Sequence, residues 1–124
     1  MKRTVLVVED IDICRDALEV ALMRLKDVDV QVVPTAEQAL TRLRNGHISA
    51  LLTDLNLPAM DGFQLIEAVR SMPQYSALPI LVLSGDSDPD TPARLASLGA
   101  NAYFPKPYSP AEVRALLEQL IDAS

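Results

Sequence analysis

Four charged side chains stand where apolar runs of this chain stop. Glu9 and Asp10 close Val5-Leu6-Val7-Val8, Asp54 closes a run through Ala50-Leu51-Leu52, and Lys106 follows Ala102-Tyr103-Phe104. Each run has the length and character of a buried parallel strand. An open α/β sheet binds its ligand at the carboxyl ends of such strands, so one crevice would gather three carboxylates and one ammonium. Carboxylates held that close repel unless a cation shares them, and Mg2+ is the usual hard cation for such a set. The chemistry this points to is phosphoryl transfer, with Asp54 as a metal ligand or a covalent nucleophile.

Each residue also has a plainer reading. Asp54 could be a turn acid that serves solubility, and Glu9 and Asp10 could be helix caps, with Asp12 as the N-cap of the helix that follows. Lys106, between Pro105 and Pro107, could be a solvated surface charge on a stiffened backbone. Ser84, ahead of Gly85 at the end of another apolar run, could hold a phosphoryl oxygen or open a turn. What favours chemistry is the joint placement at the ends of strands 1, 3, 4 and 5.

The elements that must position these groups alternate along the whole chain, which predicts repeated βα units on a parallel sheet. Strands are expected near 4–9, 28–33, 48–54, 79–84 and 101–105, and helices near 12–26, 36–45, 61–72, 91–98 and 110–121. Thr35 with Gln38 and Ser109 with Glu112 fit capping boxes, Pro110 suits a first helical turn, and Gly46 and Gly99 suit helix ends. Cys14, Leu18, Ala21, Leu22 and Leu25 form one apolar stripe, and Val113, Leu116, Leu117 and Leu120 another. The segment Asp86-Ser87-Asp88-Pro89-Asp90-Thr91-Pro92 reads either as the entry to a weakly held, moving helix or as a long surface loop.

Bulk properties narrow the class. The 124 residues, 49% hydrophobic and 23% charged, suit a single globular domain spanning 1–124. A net charge of -6 gives no basic stripe for direct nucleic-acid binding. No run approaches the ~18–20 apolar residues of a membrane span, and Val5 to Val8 is too short for a secretory signal core. A lone cysteine, Cys14, cannot form an internal disulfide, so a cytoplasmic setting is expected.

In combination, Val-Val-Glu-Asp at 7–10, Asp-Leu-Asn-Leu-Pro-Ala-Met-Asp-Gly at 54–62, Leu-Ser-Gly at 83–85 and Tyr-Phe-Pro-Lys-Pro-Tyr at 103–108 resemble the receiver domain of two-component response regulators, of the chemotaxis-regulator kind. The resemblance covers essentially the whole chain. It implies a doubly wound α/β fold, a five-stranded parallel sheet in flavodoxin-like order 2-1-3-4-5 with five helices. It implies a phosphorelay signalling switch that catalyses its own phosphorylation and dephosphorylation, with Mg2+ as cofactor and Asp54 as acceptor.

Carried over by position, Asp10 ligates Mg2+, Glu9 acts mainly through a water, and the Asn56 carbonyl supplies another ligand. Ser84 and Lys106 bind phosphoryl oxygens, and Tyr103 is the aromatic switch residue beside a surface of helix 4, strand 5 and helix 5. The bond before Pro107 is expected to be cis. The implied partners are a histidine kinase or histidine phosphotransfer protein and a downstream effector or output domain. The Met1 start reads as a native beginning, and the stop at Ser124 is compatible with an output domain beyond it. A phosphorylation-dependent dimer is compatible with the family.

The chain departs from the family pattern at three places. Glu stands at 9 for the commoner Asp, Ser at 84 for Thr, and Pro105 removes an N–H from strand 5, which predicts looser pairing there. Two other readings stay open at this point. One is an aspartate-nucleophile phosphohydrolase of the haloacid dehalogenase type, although adjacent Glu9-Asp10 replaces the Asp-x-Asp such enzymes want. The other is a degenerate receiver serving as a scaffold.

Overall fold

The computed structural model describes residues 3–85 and 87–123, with side chains described for all of these except 12–15 and 123. Strands and helices alternate in the order β1 (Arg3–Val8), α1 (Asp12–Leu22), β2 (Val28–Val33), α2 (Ala36–Asn45), β3 (Ala50–Asp54), α3 (Gly62–Arg70), β4 (Ile80–Ser84), α4 (Thr91–Leu98), β5 (Ala102–Pro105) and α5 (Pro110–Ala123). All pairings are parallel, and the sheet runs β2-β1-β3-β4-β5. The expected fold class and strand order are both found.

The strands look uniformly apolar because both faces of the sheet are covered. Leu6, Val8, Leu51, Ile80 and Val82 pack with Leu40, Leu43, Leu65, Ile66, Val69 and Leu95 of α2, α3 and α4. Their neighbours Val5, Val7, Leu52, Leu81 and Leu83 pack with Leu18 and Leu22 of α1 and Val113, Leu117 and Ile121 of α5. The period-2 alternation of a strand is therefore present, but between two cores instead of between core and solvent.

Several expectations are corrected at the edges. The run at 102–104 is only half-buried, because β5 is an edge strand. Helix α1 ends at Leu22 instead of 26: the chain turns through Asp27, at φ 56°, while Leu25 stays buried in that turn. Helix α3 ends at Arg70 because Pro73 opens a separate 3₁₀ turn, Pro73–Tyr75, and the residue before a proline avoids helical geometry. Strand β1 stops at Val8, one residue before Glu9.

Ile11 occupies the N-cap position of α1 and Asp12 is the first helical residue, so Asp12 is not the cap. Its side chain, like that of Cys14 in the α1 stripe, lies outside the described residues, as does all of Asp86. Thr35 Oγ1 and Ser109 Oγ accept from the N–H of Gln38 and Glu112, which is one half of each expected capping box. The complete capping box belongs to Asp61 and Gln64, each side chain accepting the other's backbone N–H.

Pro105 does not loosen the ladder. Pairing runs through Ser84 opposite Pro105, and the Lys106 N–H donates to the Ser84 carbonyl at 2.8 Å. Hydrogen bonds to one neighbouring strand come from alternate residues, so the N–H that Pro105 lacks would have faced the open edge.

Candidate functional site

Strand register assembles the site. Val8 pairs with Thr53, so the residues that follow them, Glu9 and Asp54, end side by side. Asp54 pairs with Leu83 and Ser84 with Pro105, which brings Lys106 to the same rim. One ligand oxygen from each of Glu9, Asp10 and Asp54 lies within 4.8 Å of the other two. Glu9 and Asp54 are buried, and Asp10 is exposed at the mouth.

The Lys106 Nζ donates to Asp54 Oδ2 at 2.8 Å and lies 3.6 Å from Glu9 Oε2. The other Asp54 oxygen, Oδ1, accepts the Asn56 N–H at 3.1 Å, and Glu9 Oε1 accepts the Ile11 N–H at 3.3 Å. Glu9 Oε2 is buried and has no hydrogen-bond partner among the described residues. Burial, and then the neighbouring Asp54 carboxylate, push the Glu9 carboxyl from its ordinary 4.5 up to about 7, against the opposing pull of Lys106 and the Ile11 N–H.

This donor set fits a hard divalent cation. One ammonium cannot neutralise three carboxylates, an oxygen of Glu9 is buried without a donor among the described residues, and Asp10 opens the cluster to solvent. A cation seated there would hold Glu9 ionised, which its surroundings otherwise oppose.

Ser84 is fully buried at the end of β4, and its carbonyl is tied to Lys106. Tyr103 sits half-buried in β5, opposite Val82 on the sheet, and packs against the core beneath α2, α3 and α4. The Lys106–Pro107 bond is cis, as expected. Glu9, Asp10, Asp54 and Lys106 thus converge directly, Asn56 joins through its backbone N–H, and Ser84 and Tyr103 lie on the two adjoining strands.

Gly62, the last residue of the 54–62 motif, also shapes the site. The Gly62 N–H donates to Leu55 O at 2.9 Å, and a Cβ on Gly62 would lie 2.5 Å from Asp54 O and 2.6 Å from Leu55 Cα. Only glycine lets α3 start this close beneath Asp54. The Asp61-Gly62 pair after a strand-end acid was the available signal.

The response regulator receiver domain family matches residues 5–118. The chain belongs to this family. That membership sets aside the haloacid dehalogenase alternative. Among curated relatives, a two-component response regulator of rice (Oryza sativa subsp. japonica) is 32% identical over 117 residues, 94% of this receiver and 96% of the relative. Other relatives are much longer: this receiver spans 15% of one and 25% of another.

Among solved structures, the chemotaxis response regulator CheY4 of Vibrio cholerae superposes with a TM-score of 0.86 at 26% identity, covering 97% of this receiver and 99% of that chain. The receiver domain of the Pseudomonas aeruginosa sensor histidine kinase PA1611, solved with a magnesium ion coordinated in its active site cleft, gives a TM-score of 0.86 at 25% identity over 98% and 99% of the two chains. Among the described residues of the present receiver, no helix is long and apolar enough to cross a membrane.

Proposed function

We propose that this receiver accepts a phosphoryl group on Asp54 from a phosphohistidine of a histidine kinase or histidine phosphotransfer protein. The observation that carries the reading is the convergence of Glu9, Asp10 and Asp54 within 4.8 Å, with Lys106 bonded to Asp54 at 2.8 Å. The carboxylates of Asp10 and Asp54 and the carbonyl of Asn56 would hold Mg2+, with Glu9 acting mainly through a water; the magnesium-bound Pseudomonas receiver supports a metal in this cleft. When bound, Mg2+ neutralises charge on the phosphoryl oxygens.

An oxygen of Asp54 attacks phosphorus, the P–N bond breaks, and its electron pair returns to the departing imidazole, leaving an acyl phosphate. Lys106 exchanges Asp54 Oδ2 for a phosphoryl oxygen, and the Ser84 hydroxyl donates to another. Ser84 ends β4 and Lys106 follows the end of β5, so both donors already stand at the rim where charge develops. The new charge and acceptor oxygens draw in Ser84 and Lys106, and Tyr103 with the face formed by α4, β5 and α5 follows. That face would signal to an effector protein or an output domain, in a cytoplasmic phosphorelay.

Incubation with Mg2+ and acetyl phosphate should add one acid-stable, base-labile phosphoryl group. Chelation of the metal or Asp54→Asn should abolish it. Undiminished labelling of Asp54→Asn at neutral pH would overturn the assignment.

A further inference from the structure

Helix α4 is tied to α3 at both ends by unequal contacts. Near its start, the Arg94 guanidinium carbon lies 3.8 Å above the centre of the Phe63 ring. At its finish, Arg70 of α3 donates to Gly99 O and Asn101 Oδ1 through Nη2, and to Tyr75 O at 2.9 Å through Nη1. Gly99, at φ 95°, is the left-handed residue that ends α4. The Asn101 side chain accepts the Ile80 N–H of β4 at 2.8 Å, so the Arg70 anchor is fastened to the sheet as well.

The Arg94 contact is the weaker of the two. Arg94 is exposed, and a cation–π contact in water is worth less than a guanidinium donating to two oxygens at the end of α4 while a third bond, to Tyr75 O, steadies it. Between the two ends, α4 buries only Thr91 and Leu95. Phe63, in contrast, is fixed to the site. It follows Gly62, whose N–H is bonded to Leu55 O and which packs so closely on Asp54 and Leu55 that a Cβ there would clash with their backbone.

We propose that the Arg94–Phe63 contact is a release latch: α4 pivots about the Arg70–Gly99 anchor, and its first turn leaves α3 when the latch opens. The inference rests on the phosphoryl-switch reading for its trigger. The Arg70–Gly99 anchor is then the hinge, and the Arg94–Phe63 pair sets the resting balance. The first turn of α4 follows the loop from Ser84, so a pull on Ser84 acts on the latched end and leaves the anchored end in place.

Amide hydrogen exchange on the full chain, without metal or phosphodonor, tests the latch. Arg94→Ala and Phe63→Leu should each speed exchange at the amides of Arg94 and Leu95 roughly two- to fivefold, as expected for an exposed cation–π contact. Exchange at Gly99 and Ala100, whose N–H groups close the far end on Ala96 and Leu95 carbonyls, should stay unchanged. The double variant should go no further than either single one, and Arg70→Met should reverse the pattern. Arg94 is exposed, so its variant keeps the test valid if Phe63→Leu folds poorly. Additive effects, or equal changes at both ends of α4, would overturn the latch. In protein already shown to label at Asp54, Mg2+ with beryllofluoride should bring Arg94 and Leu95 exchange to the Arg94→Ala level. No change there would overturn the latch and leave the phosphoryl reading standing.

Discussion

The Lys106 ammonium lies 2.8 Å from Asp54 Oδ2 and 3.6 Å from Glu9 Oε2, so one side chain serves as counter-ion to both buried carboxylates. A second cation entering the cluster must share those oxygens with it. Lys106→Ala should therefore bind Mg2+ several-fold more tightly than the parent, because a fixed positive charge beside the site has gone. The same variant should still form some phospho-Asp54 but show a blunted response of α4 and Tyr103, since the charge-assisted bond favouring the switched packing is missing. Calorimetric titration with Mg2+ and NMR shifts across 87–108 with beryllofluoride check the two halves. Mg2+ binding that is weakened in Lys106→Ala would show that the ammonium organises the metal ligands instead of competing with the ion.

Gly62→Ala would force a methyl against backbone atoms of Asp54 and Leu55, which cannot rotate aside. The chain must shift there, at a cost of about 1–3 kcal/mol for an overpacked site. The shift falls on the residue proposed as nucleophile, so phosphodonor labelling should slow by more than the loss of folded protein explains. Urea unfolding and labelling rates, measured together, separate the two effects. Parent-like stability and rate would show that the loop absorbs the methyl.

Much of this arrangement was legible in the sequence because strand ends announce themselves by a change from apolar to charged residues. Glu9, Asp54 and Lys106 each mark such an end, and parallel order then places them on one rim. What was not legible depends on chain returns that no local period encodes. The fit of Gly62 beneath Asp54 needs the path of the intervening loop. The Arg70 anchor joins the end of α3 to the end of α4, 29 residues on. Edge position also escapes a periodicity argument: Ala102, Tyr103 and Phe104 read as buried, yet β5 has a neighbour on one side only. Leu25 continued the helical period of α1 past its true end because a turn can bury a leucine as well as a helix can.

Tyr75 is a second residue that the sequence left without a role. Its hydroxyl is buried and lies 2.7 Å from Leu43 O and 3.0 Å from Gly46 O, joining the 3₁₀ turn to the end of α2. Tyr75→Phe should cost about 1–2 kcal/mol, because carbonyls that bonded the hydroxyl lose it as a donor. The turn lies at the opposite end of the sheet from Asp54, so Mg2+ affinity should not change. Thermal unfolding with and without Mg2+ checks this, and an altered metal affinity would show that the two ends of the sheet are coupled.

Glu9 predicts an unusual pH dependence. Its carboxyl titrates near 7 in the folded protein against an ordinary 4.5, so between these values the folded state holds a proton that the unfolded state has released. Stability from this group is then present at low pH and is lost as pH rises through about 7, the reverse of the common carboxylate pattern. Burial raises the Glu9 pKa most and the Asp54 carboxylate raises it further, while Lys106 and the Ile11 N–H oppose them. Glu9→Gln cannot ionise, and its stability relative to the parent should climb from pH 5 to pH 8 when metal is absent. Mg2+ favours the ionised form and should shrink that advantage most at pH 8. Thermal melts of the two proteins across this range, with chelator and with Mg2+, read the difference. A difference that stays flat with pH would show that Glu9 is ionised throughout, with its buried oxygen stabilised by water or by movement of Lys106.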